Sequence, residues 1–152
     1  MQLEDLALIS QGSLHGNSLE VSEFSIDTRS INKGEVYIAI EGEYLDGHDF
    51  IKEAEKSQAK ALIVNRSVRS HLPFIVVKNT LDFMQDIAAH NRASFKGNVV
   101  GITGTNGKTT SKQILSNLLS QKHRSHKTDG NKNNHIGVPF SMLNLGNQYK
   151  SS

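Results

Sequence analysis

The run Gly104-Thr105-Asn106-Gly107-Lys108-Thr109-Thr110 brings glycines, a lysine and threonines together at a spacing that suits one kind of chemistry. Glycine lets the backbone turn its N–H groups toward an anion, and a helix that starts just afterwards adds partial positive charge. Lys108 supplies a full charge for the outer phosphates of a nucleotide, and the Thr109 hydroxyl can ligate Mg²⁺. The spacing departs from the common P-loop, in which four residues separate the first glycine from the Gly-Lys pair. That first position falls on Ile102, so the run is a shorter form of the pattern. A plain glycine turn between a strand and a helix is the alternative. Such a turn has no use for a lysine followed by two threonines.

Other stretches carry weaker chemistry. In Ser25-Ile26-Asp27-Thr28-Arg29-Ser30, small polar side chains flank one acid and one base. The segment suits either a loop that grips a hydroxylated or charged ligand or a hydrogen-bonded turn closed by an ion pair. The run from Asp129 to Gly137 is dense in asparagine, which both donates and accepts, and it suits contact with a base, ribose or phosphate as well as an ordinary polar turn. Among the histidines, His123 and His126 have a spacing that could meet one metal, but Lys122, Arg124 and Lys127 would repel it. His15, His71 and His90 stand alone and read as surface residues. His48, beside a glycine-rich loop, is the histidine expected to touch a ligand. No pair of carboxylates recommends acid–base catalysis.

These residues need elements to position them. The apolar run Asn98–Ile102 predicts a strand leading into the cradle, and Ser111–Leu119 predicts the helix leading out. Upstream, Leu3–Ile9 reads as a short helix ended by Gln11-Gly12, and Leu19–Ser25 as a weak strand. Glu35–Ile40, Ala61–Val64 and Phe74–Val77 read as strands, with a helix over His48–Gln58. Strands separated by a helix predict a small α/β unit ending near residue 80. Thr80 is placed to cap the next helix, which runs to about Phe95 with Leu81, Met84, Ile87 and Ala88 as its buried stripe and bridges two domains. Arg124–Thr128 reads as a short polar strand, and Val138–Leu145 as a helix with Pro139 in its first turn.

The totals bound the rest. The chain has 152 residues, 36% hydrophobic and 21% charged, which predicts a folded protein of one ordinary or two small domains. It has no cysteine, which excludes disulfides, thiolate zinc sites and a cysteine nucleophile and agrees with a cytosolic setting. No apolar run approaches a membrane span, and the acidic N-terminus is no secretion signal. Net charge is +2 overall but is −4 over residues 1–80, with 8 Lys+Arg and 12 Asp+Glu, and +6 over residues 81–152, with 9 and 3. The basic part holds the cradle, which suits a polyanionic ligand. Nucleic acid is disfavoured, because aromatic residues are not interleaved with the basic ones.

Four stretches, in order, together resemble the Mur ligase family. They are Asp27-Thr28-Arg29, Asp46-Gly47-His48-Asp49-Phe50, Thr103 through Thr110, and Gly130-Asn131-Lys132-Asn133-Asn134 with Gly137-Val138-Pro139. The last points, within that family, to the branch that adds D-alanyl-D-alanine to UDP-N-acetylmuramoyl-tripeptide. The resemblance covers essentially the whole chain. It implies a UDP-substrate-binding domain over 1–80 and the start of a central ATP-binding domain over 81–152, in a cytoplasmic ligase of peptidoglycan precursor synthesis that works through an acyl phosphate with ATP and Mg²⁺. It further implies that Gly104, Thr105, Asn106, Gly107, Lys108, Thr109 and Thr110 bind the ATP phosphates, with Lys108 on the outer ones and Thr109 on the metal. Ile26, Thr28, Glu43, Tyr44 and Leu45 match positions facing the UDP-bearing substrate, and Asn131 and Asn134 are candidates to touch substrate or nucleotide. The family's metal-binding glutamate, carboxylated lysine, adenine contacts and amine-substrate domain would lie beyond Ser152, so the resemblance implies a fragment that does not ligate alone. Three rivals stand beside this reading: a tripeptide-forming member of the family, a stand-alone UDP-sugar-binding module, and an unrelated P-loop ATPase or kinase.

Overall fold

A computed structural model describes residues 1–125, 127–128 and 136–145. Its architecture is α/β. Five strands form one mixed sheet in the order β1-β5-β4-β3-β2: β1 Ser13–His15, β2 Phe24–Ser25, β3 Val36–Ile38, β4 Ala61–Val64 and β5 Phe74–Val76. β2, β3, β4 and β5 run parallel, and β1 runs antiparallel to β5. Among the described residues five α-helices accompany them: α1 Leu3–Ile9, α2 Ile51–Lys56, α3 Thr80–Ser94, α4 Lys108–Leu119 and α5 Gly137–Leu143. No helix among the described residues is long and apolar enough to cross a membrane.

Side-chain alternation along the strands builds two cores. Val36, Ile38, Ala61, Ile63, Ile75 and Val77 face one side with Leu3 and Leu6 of α1, Phe83, Met84 and Ile87 of α3, and Leu143 of α5. Tyr37, Ala39, Leu62, Val64 and Phe74 face the other with Ile51 and Ala54 of α2. A sheet covered on both faces needs strands that are apolar at consecutive positions, which is why Ala61-Leu62-Ile63-Val64 is an unbroken apolar run. The first core continues past residue 80 into α3.

Several expectations are corrected. The helix-capping residue of α3 is Asn79, whose Oδ1 accepts from Leu81 N at 2.7 Å and from Asp82 N at 3.3 Å, while Thr80 is buried in the first turn. Phe83 joins the buried stripe, and Leu81 is only partly buried. The strand expected over Leu19–Ser25 is confined to Phe24–Ser25, and β1 was not anticipated. The helix over His48–Gln58 begins as a 3-10 turn, Gly47–Phe50, before α2.

No strand forms over Asn98–Ile102. A strand exists only by its ladder, and all five described strands lie upstream of residue 80; Val100 is 60% exposed. For the same reason Arg124, Ser125, Lys127 and Thr128 are not in a strand, and His126 lies outside the described residues.

Candidate functional site

Parallel strands expose their following loops on one edge, and in open α/β sheets ligands settle there. β2, β3 and β4 deliver three segments to that edge: 26–30, 39–48 and 65–66. Ile26 packs against the first core, and Thr28 is half-buried. Arg29 N donates to Asp27 Oδ1 at 3.0 Å, and the guanidinium adds bonds of 2.9 Å to Oδ1 and 2.6 Å to Oδ2. Of the two readings of this segment, the turn closed by an ion pair is therefore made. These hydrogen bonds from Arg29 hold the Asp27 carboxyl down at about 2.

The second segment folds back on itself. Glu41 bridges Asp46, Gly42 N donates to Leu45 O at 2.9 Å, and Gly47 N donates to Ile40 O at 2.8 Å. Gly47 lies so close to Ile40 that a Cβ there would sit 2.7 Å from Ile40 N, so no other residue fits. Glu43, Tyr44 and Leu45 form the tip, with Tyr44 88% and Leu45 70% exposed. An aromatic and an aliphatic side chain held out on a pinned hairpin suit stacking on a flat ring.

A polar network holds the base of this hairpin. Asp46 Oδ1 accepts from His48 N at 2.9 Å and lies 2.6 Å from His48 Nδ1, and Asp46 Oδ2 accepts from Arg66 at 2.5 Å. Asn65 N donates to His48 Nε2 at 3.2 Å, which assigns the ring proton to Nδ1. Asn65 Nδ2 donates to Glu41 Oε2 at 3.0 Å, and Asn65 Oδ1 is buried without a partner among the described residues. Burial pushes the Asp46 carboxyl up, but the Arg66 guanidinium and the His48 backbone and ring N–H groups more than offset it, leaving its pKa well below the carboxylate range. His48 is thus a buried structural residue with both ring nitrogens engaged, which corrects its assignment as a ligand contact. Asn65 and Arg66 escaped the sequence reading. Tyr37 closes the corner by donating to Gly47 O at 3.0 Å; burial, with the charges of Asp27, Asp46 and Glu53, pushes its phenol up to about 12.

The glycine run stands at the start of α4. Gly104 and Gly107 have φ of +148° and +77°, so both are in backbone conformations that side-chain-bearing residues avoid. A Cβ at Gly107 would meet nothing within 4 Å, so the demand for glycine is conformational. The Lys108 ammonium folds back across the loop to Gly104 O and, at 3.4 Å, Thr105 O. Thr109 and Thr110 occupy the first turn of α4, which contains no acidic residue. The N-terminus of a helix, a lysine and a first turn without an acidic residue fit a phosphate group. Lys112 Nζ donates to Thr128 O at 2.7 Å, tying α4 to the segment that follows it. Asn131 and Asn134 lie outside the described residues. No group of three or more metal-ligating side chains stands among the described residues.

A mixed α/β sheet and a glycine loop that opens a helix define the class. Two family models match the chain: "Mur ligase family, catalytic domain" over residues 20–92 and "Mur ligase middle domain" over residues 102–151. The chain belongs to the Mur ligase family. It is 35% identical over 150 residues to the UDP-N-acetylmuramoyl-tripeptide–D-alanyl-D-alanine ligase of Buchnera aphidicola, aligning 99% of this chain with 33% of that protein. It superposes with a TM-score of 0.84 on the UDP-N-acetylmuramoylalanyl-D-glutamyl-2,6-diaminopimelate–D-alanyl-D-alanyl ligase of Acinetobacter baumannii, at 29% identity, covering 93% of this chain and 33% of that one. A MurF ligase from Thermotoga maritima, crystallised with ADP, matches with a TM-score of 0.68 and 40% identity over 82% of this chain and 29% of its own. The chain spans about a third of the length of the relatives it matches.

Proposed function

We propose that this chain forms the sugar-nucleotide and phosphate-binding parts of a ligase that joins D-alanyl-D-alanine to UDP-N-acetylmuramoyl-tripeptide in the cytoplasm. Residues 1–80 make the UDP-substrate unit and residues 81–152 the opening of the ATP-binding unit, with α3 leading from one to the other and packed on the sheet. The observation that carries this is a glycine loop with positive φ at Gly104 and Gly107 ahead of α4, on the same chain as a parallel-strand edge that presents a pinned Tyr44-Leu45 tip.

At that edge Ile26 and Thr28 from the loop after β2, and Glu43, Tyr44 and Leu45 from the loop after β3, hold the UDP end of the substrate. The backbone N–H groups of Gly104 through Thr110 cradle the nucleotide phosphates, Lys108 neutralises the outer ones and Thr109 offers its hydroxyl to Mg²⁺. ATP, when bound, supplies the phosphoryl group that activates the substrate carboxylate for attack by an amine. Asn131 and Asn134 contribute further contacts to substrate or nucleotide.

Calorimetric titration tests the reading. The chain is expected to bind UDP-N-acetylmuramoyl-tripeptide and, separately, ADP with Mg²⁺. Lys108→Ala should weaken ADP by at least about tenfold, the scale of one lost charge-assisted contact, and leave the UDP compound within twofold. Equal loss of both ligands, or an unchanged ADP affinity, would refute the two-site assignment. An unrelated kinase would bind ADP and ignore the UDP compound.

A further inference from the structure

β2 is a two-residue edge strand with β3 on one side only. Alternate residues of an edge strand bond to the neighbour in a parallel ladder. Val36 N donates to Glu23 O at 2.8 Å, so the N–H and C=O of Phe24 point away from β3. One side chain takes both groups. Phe24 N donates to Asn144 Oδ1 at 3.0 Å, and Asn144 Nδ2 donates to Phe24 O at 3.3 Å, across 120 residues of sequence. The amide stands in for one residue of an additional strand.

Asn144 is itself held. It caps the C-terminus of α5, and its N–H donates to Phe140 O at 3.4 Å. The preceding Leu143 is buried in the first core, and Leu143 O accepts from Asn91 Nδ2 of α3 at 2.8 Å. A packed helix pair therefore fixes the position of the amide, and the amide fixes Phe24. Ser25 follows directly, and its Oγ accepts from Asp27 N at 3.3 Å to start the turn that carries Ile26 and Thr28.

We propose that Asn144 is a positioning residue for the 25–28 segment, and through it for the uridine diphosphate end of a ligand at the carboxyl edge of the sheet. This rests on the reading of Ile26 and Thr28 as sugar-nucleotide contacts. Phe24 lies in register with Val36 on one side, where the neighbouring Glu23 O takes the bond from Val36 N, and is bonded to the Asn144 amide on the other; with the amide gone, the chain leading into Ile26 is held on one side alone. The clamp comes from the part of the chain that also carries the glycine loop, so the placement of one ligand's segment depends on a helix from the other part. A role confined to closing the sheet edge would change stability and leave ligand affinity alone.

The test uses the chain with Asn144→Ala and Asn144→Asp, the second keeping an acceptor for Phe24 N while losing the donor to Phe24 O. Two quantities are read: hydrogen exchange of the Phe24 amide, and calorimetric affinity for uridine diphosphate and for ADP. Asn144→Ala should speed Phe24 exchange and weaken uridine diphosphate about fivefold to tenfold, the scale of one or two lost neutral hydrogen bonds, with ADP unchanged. Asn144→Asp should keep most of the Phe24 protection and fall between the two, which preserves the comparison if the alanine variant folds poorly. Accelerated exchange with unaltered uridine diphosphate affinity overturns the proposal, and so does parallel loss of both ligands. Absence of uridine diphosphate binding by the unmodified chain would bring down the reading of residues 26–28 and this inference with it; binding that the variants leave intact removes this inference alone.

Discussion

Replacing Asp46 with alanine removes the acceptor on which the hairpin base depends. The His48 side chain is 3% exposed, so its Nδ1–H would be stranded where water cannot reach it. Leaving a buried donor unsatisfied costs about 1–3 kcal/mol. Asp46 also caps the 3-10 turn through His48 N at 2.9 Å, and loss of such a cap costs about 1 kcal/mol. Arg66 is half-exposed and returns to solvent, so its share is small. The expected destabilisation is about 2–4 kcal/mol, or about 1–2 M in urea midpoint at the usual slope for a small protein. The chain has no tryptophan, and Tyr37, buried beside Gly47, reports on this corner by its fluorescence, with far-ultraviolet circular dichroism reporting on the whole. The pH dependence adds a second criterion. The Asp46 pKa is depressed in the folded state, so its stabilisation is present above the unfolded carboxylate pKa and lost as pH falls toward the folded value. The gap between the unmodified chain and Asp46→Ala should therefore be full at pH 7 and shrink below about pH 4. A midpoint shift under about 0.3 M, or a gap undiminished in acid, would refute the reasoning.

Gly107→Ala meets no steric obstacle but puts alanine at φ +77°, a cost of about 1–2 kcal/mol. Because α4 buries none of its residues, that cost should appear as faster amide exchange over 108–111 and weaker ADP binding, with the urea midpoint of the sheet unmoved. An equal shift in the sheet would contradict this. Alkaline spectrophotometric titration should show a tyrosine ionising near 12 that Tyr37→Phe removes. As the folded state then holds a proton the unfolded chain has released, stability should fall as pH rises from 10 to about 12; a flat profile would be the wrong outcome.

How far the fold could be read from the residues depended on where each element finds its partners. Ala61–Val64 was legible residue for residue because both of its faces are buried and every position must be apolar. α1 was legible from the spacing of Leu3 and Leu6, and its end from Gln11, whose φ is +53°. β1 was hidden because Ser13 and His15 are exposed and only Leu14 turns inward. Asn98–Ile102 misled in the opposite way: its composition suits a strand, but composition supplies no ladder. The glycine loop was legible because its requirements are local. His48 drew suspicion for lying in a glycine-rich stretch. The Asp46-Gly47-His48 spacing, in which an Asp side chain bonds to the backbone two residues on, was the available signal that it was structural. Asn144 left no trace in the sequence, since a single amide paired with a backbone 120 residues away produces no periodicity.

The most direct measurement is residue-by-residue mapping of amide shifts by two-dimensional NMR, titrating the chain first with ADP and Mg²⁺ and then with uridine diphosphate. Two separate sites predict that ADP moves the amides of residues 104–110 and leaves 26–28 and 43–45 in place, while uridine diphosphate does the reverse. Both ligands perturbing one common set of residues, or ADP leaving 104–110 unmoved while shifting signals elsewhere, would contradict the account.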